Sequence, residues 1–449
     1  MSYAPVNYGD HLANLKLSVP TTHPSTDKSR GLRIALLGYR SHPHVGGQGI
    51  YLHYLSKALV ELGHSVDVIS GPPYPELDPL VRLIQLPSLD LYAHPHPTYA
   101  LKFAHLFSWT DFYEWWSKLT GAFGEPYCFG RRLVKYFKKN PVDYDIIHDN
   151  QSLCFGLLDL QKQSAHVVAT IHHPITLDHD LAIAAATTKN QRMLINRWYS
   201  FVGMQKKVIT KLQHIITVSE QSKYDIQQAF GCDAEKITVI GCGVDTDTFC
   251  PQENIQRISC RLITTASSDQ PLKGLSILLN AIANLRREFP DLQLIVIGRL
   301  KEKGSTEKEL ARLQLQDAVE FKSGISTEEL VQEYAKASVA IVPSLYEGFG
   351  LPAAEALACG IPLISSDGGA LPEVVGDAAY VVNAGDIEEL ANAIRELLNN
   401  ENLRQDFSKK GRQYSLQQLS WKKVAEKMVA YYQEKVLHPN LHNILPKER

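Results

Sequence analysis

Two glutamates in a glycine-rich stretch are the first candidates for chemistry. Glu347 and Glu355 lie eight residues apart within residues 343–360, PSLYEGFGLPAAEALACG. Glycines on both sides of Phe349 predict a loop whose backbone N–H groups are free to bind oxygens. Pro352 suits the first turn of a helix, so Glu355 should fall in the opening turn. A carboxylate there either stabilises the helix end or accepts both hydroxyls of a vicinal diol such as ribose.

Lys273 and His172 are the next candidates, and both follow predicted strands. Lys273, in PLKGL, lies beside a predicted helix start, where its charge can meet a diphosphate. The alternative for this lysine is a solvated surface position. His172, in TIHHP, closes a predicted strand, where an imidazole can donate a hydrogen bond or take a proton near neutral pH. It can also merely order the loop, and His173 is a rival for the same role.

A glycine cluster lies between the first predicted strand and the first predicted helix. This segment, GGQG at 46–49, contains Gly47. Adjacent glycines let the backbone approach a ligand closely, and the N–H groups of a helix start favour an anion such as phosphate. The alternative is a tight strand–helix turn. The segment is neither GxGxxG nor a P-loop, because no Walker lysine follows.

These residues follow strands because the chain alternates strands with helices. Short apolar runs predict strands, and apolar residues at helical spacing predict the helices between them. Two series of this kind predict an α/β protein with two Rossmann-like, doubly wound domains that face a central cleft. The predicted strands are 33–38, 65–70, 145–148, 167–171, 214–218 and 237–240, then 261–266, 292–298, 318–323, 339–344, 362–366 and 378–382.

An aperiodic segment rich in Gly, Asp and Pro separates the two series. We therefore expect an N-terminal Rossmann-like domain at 31–240, a linker at 241–258 and a C-terminal Rossmann-like domain at 259–415. A loosely ordered arm is expected at 1–30. The amphipathic helix expected at 416–437 either caps the second domain or crosses back to the first. Ligands of such two-domain proteins bind between the halves, at the carboxyl ends of the strands.

Composition excludes several classes of protein. Among 449 residues, 46 Lys and Arg against 48 Asp and Glu leave a net charge of −2, which argues against general nucleic-acid binding. Seven scattered cysteines without a CxxC pair indicate inert thiols in a reducing compartment. No apolar run reaches the ~20 residues of a membrane span, and the first 30 residues lack the apolar core of a secretory signal. We therefore expect a cytoplasmic protein.

Together these motifs resemble the retaining glycosyltransferases of family 4, which adopt the two-domain GT-B fold. The glutamates match the E-x7-E motif of that family, in EGFGLPAAE at 347–355, and LPEVVG at 371–376 is also specific. The resemblance covers most of residues 32–436, and it implies that 31–240 is the acceptor domain and 259–415 the nucleotide-sugar domain. Supporting matches are GG at 46–47, TIH at 170–172, TVSEQSKYD at 217–225, GVDTDTF at 243–249 and LKG at 272–274.

The resemblance implies that Glu347 and His172 are catalytic-site residues. Glu347, with the N–H groups of Phe349 and Gly350, resembles the group that holds the donor sugar hydroxyls. His172 resembles the histidine near the donor sugar and the reaction centre. Retaining glycosidases use two carboxylates ~5–5.5 Å apart, one of them a nucleophile. The resemblance instead implies a same-face displacement in which the leaving diphosphate takes the acceptor's proton.

The resemblance also implies how the donor is held. Glu355 resembles the carboxylate that binds the donor ribose, and Lys273 resembles the ligand of the diphosphate. Preorganised N–H groups and Lys273 can stabilise the charge that develops on the leaving group. The family implies no metal and no cofactor beyond the nucleotide-diphosphate sugar as co-substrate. The implied donor-binding residues are Gly47, Lys273, Gly348, Phe349, Gly350 and Glu355.

The chain departs from the family pattern in one place. The family usually has Gly-Arg about five residues before the lysine of its Lys-Gly pair, and here those positions are Ser267 and Ser268. The usual second cation is therefore missing, and Arg299 is a candidate substitute. Two segments, DTD at 245–247 and DHD at 178–180, resemble the DxD metal motif of another glycosyltransferase fold. A turn is the better prediction for DTD.

The sequence thus predicts transfer of a hexose from a nucleotide-diphosphate sugar to an acceptor hydroxyl with retention, in glycan or glycolipid synthesis. One alternative is a sugar-nucleotide epimerase or phosphorylase on the same fold. Another is a non-catalytic sugar-nucleotide-binding protein, which only the Ser267–Ser268 departure supports. A nicotinamide dehydrogenase is disfavoured, since no GxGxxG follows the first strand.

The segment 101–139 bears on the acceptor. It contains three tryptophans and the basic run RRLVKYFKK at 131–139. Such a surface can lie on anionic lipid at the inner face of a membrane, with a lipid-linked sugar as acceptor. The favoured alternative is a helical cap whose aromatic residues are core and whose lysines face water. Glycan and small-molecule acceptors also remain open.

Overall fold

The computed structural model describes residues 31–43, 47–93, 103–141, 143–266 and 268–439. The arm predicted at 1–30 lies outside these residues, as do Gly46 and Ser267. Within them, no helix is both long and apolar enough to cross a membrane.

The first half of the chain forms a seven-stranded parallel sheet in the order β3-β2-β1-β4-β5-β6-β7. The strand order reverses between β1 and β4, and such a switch point opens a crevice at the carboxyl edge. Central strands such as β4 and β5 are buried along their whole length, as expected for a sheet covered on both faces. The strands are β1 Arg33–Gly38, β2 Ser65–Ser70, β3 Arg82–Gln85, β4 Ile146–Asn150, β5 Val167–Ile171, β6 His214–Thr217 and β7 Ile237–Val239.

The second half forms a six-stranded parallel sheet in the order β10-β9-β8-β11-β12-β13. Its strand order reverses between β8 and β11, where Lys273 and Glu347 follow the two strands. The strands are β8 Arg261–Thr265, β9 Gln293–Ile297, β10 Val319–Lys322, β11 Val339–Val342, β12 Leu363–Ser366 and β13 Tyr380–Val382.

Helices cover both faces of each sheet. Those of the first half are α1 Gly47–Glu61, α2 Trp109–Leu119, α3 Glu125–Lys139, α4 Phe155–Lys162, α5 Thr176–Ala185, α6 Lys189–Trp198, α7 Val202–Ile209 and α8 Glu220–Phe230. Those that follow are α9 Leu275–Leu285, α10 Ser305–Leu313, α11 Thr327–Lys336, α12 Leu351–Ala358, α13 Leu371–Val375, α14 Ile387–Asn399, α15 Glu401–Tyr414 and α16 Trp421–Tyr431.

The predicted fold class, two doubly wound α/β units, is confirmed, and the differences have physical causes. Strand β3 was not predicted, because this half-exposed edge strand has no continuous apolar run. Helix α15 was not predicted, because Gly411 is its only buried residue and no apolar stripe marks it. Helix α1 begins at Gly47, so the last glycines of GGQG lie inside its first turn rather than before it.

The chain passes between the two halves a second time near its C-terminal end. The backbone N–H of Val244 donates to the Leu419 carbonyl at 2.7 Å. Trp421, the first residue of α16, then stacks on Tyr54 and meets the edge of Tyr51, both in α1. Buried residues of α16 share one apolar cluster with α1 and β1. Helix α16 therefore packs on the first sheet unit.

The segment 103–139 is only partly the core cap that the sequence favoured. Trp109 and Trp116 of α2 are 60% and 49% exposed, so the expectation that the aromatic residues are core is wrong for both. Phe103 and Phe107, in the preceding 3₁₀ turn, are also exposed. In the basic run, Arg132 turns inward to pair with the buried Glu114. The other basic side chains of the run, Arg131, Lys135, Lys138 and Lys139, face water.

Candidate active site

The loop after β11 carries Glu347 and is fixed by backbone contacts. Leu345 N–H donates to the Leu272 carbonyl at 2.8 Å, and Ala370 N–H donates to the Glu347 carbonyl at 2.9 Å. Gly369, with φ +66°, passes so close that an added Cβ would lie 2.4 Å from that carbonyl oxygen. The backbone at Glu347 is therefore set by neighbours on both sides of the loop.

Lys273 and Glu347 form an ion pair. The Nζ of Lys273 lies 2.7 Å from Oε1 of Glu347, which also accepts from the Ser344 hydroxyl at 2.9 Å. The side chain of Lys273 is 33% exposed and that of Glu347 is 11% exposed. The structure thus brings these two predicted residues together as one polar unit. Their direct pairing was not predicted.

Gly274 explains why a glycine follows this lysine. Its φ is +66°, and an added Cβ would lie 1.8 Å from the Pro343 carbonyl oxygen. The close approach lets the backbone of 271–274 lie against 343–345, which places Lys273 beside Glu347.

Gly274→Ala is expected to destabilise the protein by about 1–3 kcal/mol, because the backbone there is strained for any residue with a Cβ. It should also lower kcat/KM for the donor by displacing Lys273. Urea unfolding and donor kinetics measure the two effects. Gly203→Ala is the matched control, because Gly203 lies in α7 with open space around its Cβ position. Equal stability of the two variants would contradict the steric argument.

Glu355 lies in α12, but the prediction that it falls in the opening turn is wrong, because the helix begins at Leu351 and Glu355 is its fifth residue. Burial raises the pKa of its carboxyl to about 7. Its one hydrogen bond in the described chain is from the Tyr334 hydroxyl at 3.5 Å, which is long. The Glu355 carboxylate therefore has unfilled acceptor positions.

This pKa predicts a pH effect on donor use. Below pH 7 the carboxyl is mostly protonated, so it would accept two hydroxyls, such as those of the ribose that the resemblance implies, less well. We expect kcat/KM for the donor to rise about tenfold between pH 6 and pH 8, the change in ionised fraction for a group with a pKa about 7. The Glu355→Gln variant should be slower and should lose this slope. A profile that is unchanged in Glu355→Gln would assign the slope to another group.

The N–H groups of Phe349 and Gly350 are available to a ligand. In the part of the chain that the structure describes, neither N–H donates a hydrogen bond. Gly350, with φ +102°, precedes the first turn of α12. The Phe349 ring packs toward Gly241, which fixes the loop against the linker.

His172 follows β5, and two residues at the end of β4 hold it. Its backbone N–H donates to Gln151 Oε1 at 2.7 Å, and Gln151 Nε2 donates to the His173 carbonyl at 2.8 Å. Its Nε2 lies 2.7 Å from Asn150 Oδ1, and the Tyr51 ring meets its edge. No motif in the sequence marks Asn150 or Gln151, so both were missed.

The tautomer of His172 follows from these contacts. Asn150 Nδ2 donates to the Gln48 carbonyl at 3.0 Å, so its Oδ1 faces the imidazole. Because that oxygen only accepts, Nε2 carries the proton and Nδ1 is left as an acceptor. Burial, and to a smaller extent His173, lower the pKa of His172 to about 3. The expectation that His172 takes a proton near neutral pH is therefore wrong.

A buried polar chain lies behind His172. His148 in β4 is bonded through Nδ1 to the Tyr432 hydroxyl at 2.5 Å and through Nε2 to the Thr170 hydroxyl at 2.6 Å. The Tyr51 hydroxyl lies 3.4 Å from the same threonine. The chain links the C-terminal helical segment to β5, the strand that His172 follows.

Gly47 begins α1 and is exposed, with nothing near its Cβ position. The glycine that packing requires is Gly49, where an added Cβ would lie 2.1 Å from the His42 carbonyl oxygen. The first turn of α1 therefore lies against the loop after β1. The first N–H groups of a helix have no partner within that helix, so this turn suits an anion.

The remaining sequence candidates have local roles. Ser268, in the place of the family arginine, donates to the Arg299 carbonyl at 2.8 Å and accepts from Lys301 N–H. The Arg299 side chain is exposed. Asp245 of DTD accepts from the N–H and hydroxyl of Thr248, so this segment forms a turn, as predicted. Among the described residues, no His, Cys, Asp and Glu side chains cluster as a metal site would require.

Two family models match the chain. Residues 45–248 match Glycosyltransferase Family 4, and residues 259–414 match Glycosyl transferases group 1. An MMP α-(1→4)-mannosyltransferase from Mycolicibacterium hassiacum is 44% identical over 409 residues, which cover 90% of this chain and 98% of that protein. The chain belongs to glycosyltransferase family 4. This glycosyltransferase is a hexosyltransferase.

More distant relatives and solved structures agree. A D-inositol 3-phosphate glycosyltransferase from Corynebacterium urealyticum is 25% identical over 89% of this glycosyltransferase and 95% of its own length. Sucrose-phosphate synthase from Thermosynechococcus elongatus is similar in structure, with a TM-score of 0.63, 25% identity and coverage of 89% and 98%. HepE from Anabaena, solved with UDP and glucose, has a TM-score of 0.64 at 16% identity, with coverage of 90% and 100%. The fold is therefore GT-B.

Proposed function

We propose that this glycosyltransferase moves a mannosyl residue from a nucleotide-diphosphate donor to a glycan hydroxyl and forms an α-(1→4) linkage. The observation that carries the proposal is the 44% identity to the M. hassiacum mannosyltransferase over nearly the whole length of both proteins. The inositol phosphate transferases match at 24–27% identity. We therefore assign to this chain the acceptor class of the more similar mannosyltransferase, a glycan hydroxyl, and not an inositol phosphate.

The donor occupies the cleft between the two halves. Glu355 accepts the ribose hydroxyls, and Lys273 meets the diphosphate. The ion pair holds Lys273 and Glu347 side by side. There the lysine can meet the anionic phosphates of a donor, and the glutamate can meet its neutral hydroxyls. When the diphosphate takes over Lys273, Glu347 is free to accept hydroxyls of the sugar. The N–H groups of Phe349 and Gly350 donate to oxygens at the same place, and the first turn of α1 at Gly47 completes the phosphate site.

Transfer proceeds with retention of anomeric configuration. Nucleotide-diphosphate mannose carries its sugar in the α configuration, so an α-linked product requires retention. The bond between the anomeric carbon and the diphosphate breaks while the acceptor oxygen adds to the same face, and the diphosphate takes the acceptor's proton. Lys273 and the loop N–H groups stabilise the charge on the leaving group. This scheme needs no metal, so added chelator should leave the rate unchanged.

His172 binds the donor sugar through Nδ1. With Nε2 committed to Asn150, the neutral ring accepts a hydrogen bond from a sugar hydroxyl. It is therefore a positioning acceptor at the reaction centre and transfers no proton.

The acceptor side is built on aromatic rings. Tyr39, which follows β1, meets Phe123, and Phe123 stacks on Trp198 at a centroid distance of 5.3 Å. Arg197 donates to the Thr120 hydroxyl at 2.8 Å, which joins this ring cluster to the end of α2. Aromatic faces suit the apolar faces of sugar rings. Trp116, in the last turn of α2 before Thr120, is 49% exposed, so we propose that the acceptor glycan extends over this surface.

The first test is a donor and acceptor panel. UDP-, GDP- and ADP-linked hexoses are incubated with and without α-linked mannosides, and released nucleoside diphosphate is measured. Release from a mannose donor that an α-mannoside accelerates, with an α-(1→4) product by NMR, is the expected result. Acceleration by inositol phosphate alone would refute the acceptor assignment. Binding of donors without turnover on any acceptor would favour a non-catalytic binding protein.

Trp116→Ala tests the acceptor surface. We expect kcat/KM to fall about tenfold for a long mannoside and to change less than twofold for a disaccharide, because only the long chain reaches α2. Met193→Ala, in the exposed part of α6, is a matched control for removing an exposed apolar side chain. Equal losses on both acceptors would refute the proposal. Flotation with anionic vesicles that is lost in Trp116→Ala would assign the surface to a membrane instead.

All seven cysteines are free, which supports a reducing, cytoplasmic location.

A further inference from the structure

One hydroxyl joins the two loops that carry the catalytic-site residues. Ser222 of α8 is fully buried, and its Oγ lies 3.2 Å from the carbonyl oxygen of His172 and 3.2 Å from that of Gly348. Gly348 directly follows Glu347. The first carbonyl belongs to the loop after β5 in the first half, and the second belongs to the loop after β11 in the second half.

The start of α8 makes further bonds to the second half. Ser219 caps α8 by accepting from Ser222 N–H, and its hydroxyl also donates to the Gly348 carbonyl at 2.9 Å. The Glu373 carboxylate accepts from the N–H groups of Glu220 and Gln221 at 2.7 and 3.0 Å. These N–H groups have no partner inside the helix, and a carboxylate there is stabilised by the helix dipole.

A third contact extends this set by one helical turn. The Tyr346 hydroxyl, one residue before Glu347, donates to the Asp225 carboxylate. We call the bonds of Ser219, Ser222, Asp225 and Glu373 across the cleft the α8 joint. The joint brings together TVSEQSKYD and LPEVVG, two motifs to which the donor site assigns no role.

The bonds of the α8 joint differ in strength. Ser219 and Ser222 are buried, so loss of a hydroxyl leaves a carbonyl that water does not easily reach. Glu373 is exposed, so its bonds are screened and weak enough to open. A few bonds of this kind can hold a cleft closed during reaction and still release it for donor entry.

We propose that Ser222 is a positioning residue that sets the register of the His172 loop against the Glu347 loop. The α8 joint holds the closed arrangement in which both loops face one donor sugar. Gln151 fixes the His172 peptide within the first half. Ser222 contacts both the His172 carbonyl and the Gly348 carbonyl, and so fixes the distance between the two loops across the cleft. This inference goes beyond the donor and acceptor assigned above and holds for any hexose that the cleft accepts.

Ser222→Ala tests the proposal through kinetics. We expect kcat to fall about tenfold, the size expected when one or two buried hydrogen bonds are lost from the transition state, with KM for the donor changed less than twofold. Ser56→Ala is the matched control, because Ser56 is equally buried and its hydroxyl donates within its own helix to the His53 carbonyl. If kcat falls equally in both variants, or stays within twofold of the parent in Ser222→Ala, the proposal is wrong.

A second variant tests the joint without relying on catalysis. Glu373→Ala removes an exposed carboxylate, so the fold should remain intact, and small-angle X-ray scattering should give a larger radius of gyration than the parent. Glu388→Ala, which removes an exposed glutamate from the first turn of α14, should leave the radius unchanged. An unchanged radius in Glu373→Ala would refute the role of the joint in closure. Because scattering needs no turnover, this result is separate from failure of the proposed activity.

Discussion

Replacing Glu347 with alanine is expected to lower kcat about 10²–10³-fold, one of the two largest effects expected in this glycosyltransferase. The variant loses the carboxylate of the loop that also carries the N–H groups of Phe349 and Gly350. It also leaves Lys273, 2.7 Å away in the parent, without its anionic partner. Donor turnover at saturating acceptor measures the effect.

Two controls separate chemistry from stability in that experiment. Glu347→Gln keeps one oxygen acceptor but loses the charge, so its rate should lie between those of the parent and Glu347→Ala. Glu309→Ala removes a glutamate that similarly accepts from a hydroxyl and an amide, in Ser276 and Asn280, away from the cleft. Glu309→Ala should keep full activity. A Glu347→Ala rate within tenfold of the parent would remove this residue from the reaction centre.

The sequence predicted the elements that position the site because their signals are local. An apolar run marks each central strand, and the candidate residues follow those strands directly. Parallel strands end at one edge, so Lys273 after β8 and Glu347 after β11 had to come near each other once the sheet order placed β8 beside β11. The ion pair itself depends on Gly274 approaching Pro343, a contact between segments about 70 residues apart in the chain.

Contacts over longer separations left no local signal. His148 and Tyr432 are 284 residues apart, and nothing in either segment indicates that they bond. The α8 joint is similar, since Ser222 and Gly348 are 126 residues apart. The motif TVSEQSKYD supported the family resemblance, but the bonds of Ser222 became visible only when both halves were in place. The composition of 101–139 likewise marked an aromatic segment, but it did not indicate whether the side chains of Trp109 and Trp116 are buried or exposed.

Lys273→Met is expected to lower kcat/KM for the donor about 10²–10³-fold, because in the proposed mechanism the side chain stabilises both the bound diphosphate and the charge on the leaving group. KM for the donor should rise and kcat should fall. Lys308→Met, at an exposed position in α10, removes the same charge away from the cleft and should leave kcat/KM unchanged.

Combining Lys273→Met with Glu347→Ala then tests whether the pair acts as one unit. If the two groups cooperate at one donor, the double variant should be little slower than Glu347→Ala alone. Fully additive losses would mean that Lys273 and Glu347 pair only when no donor is bound. The two side chains would then bind independent parts of the donor during transfer.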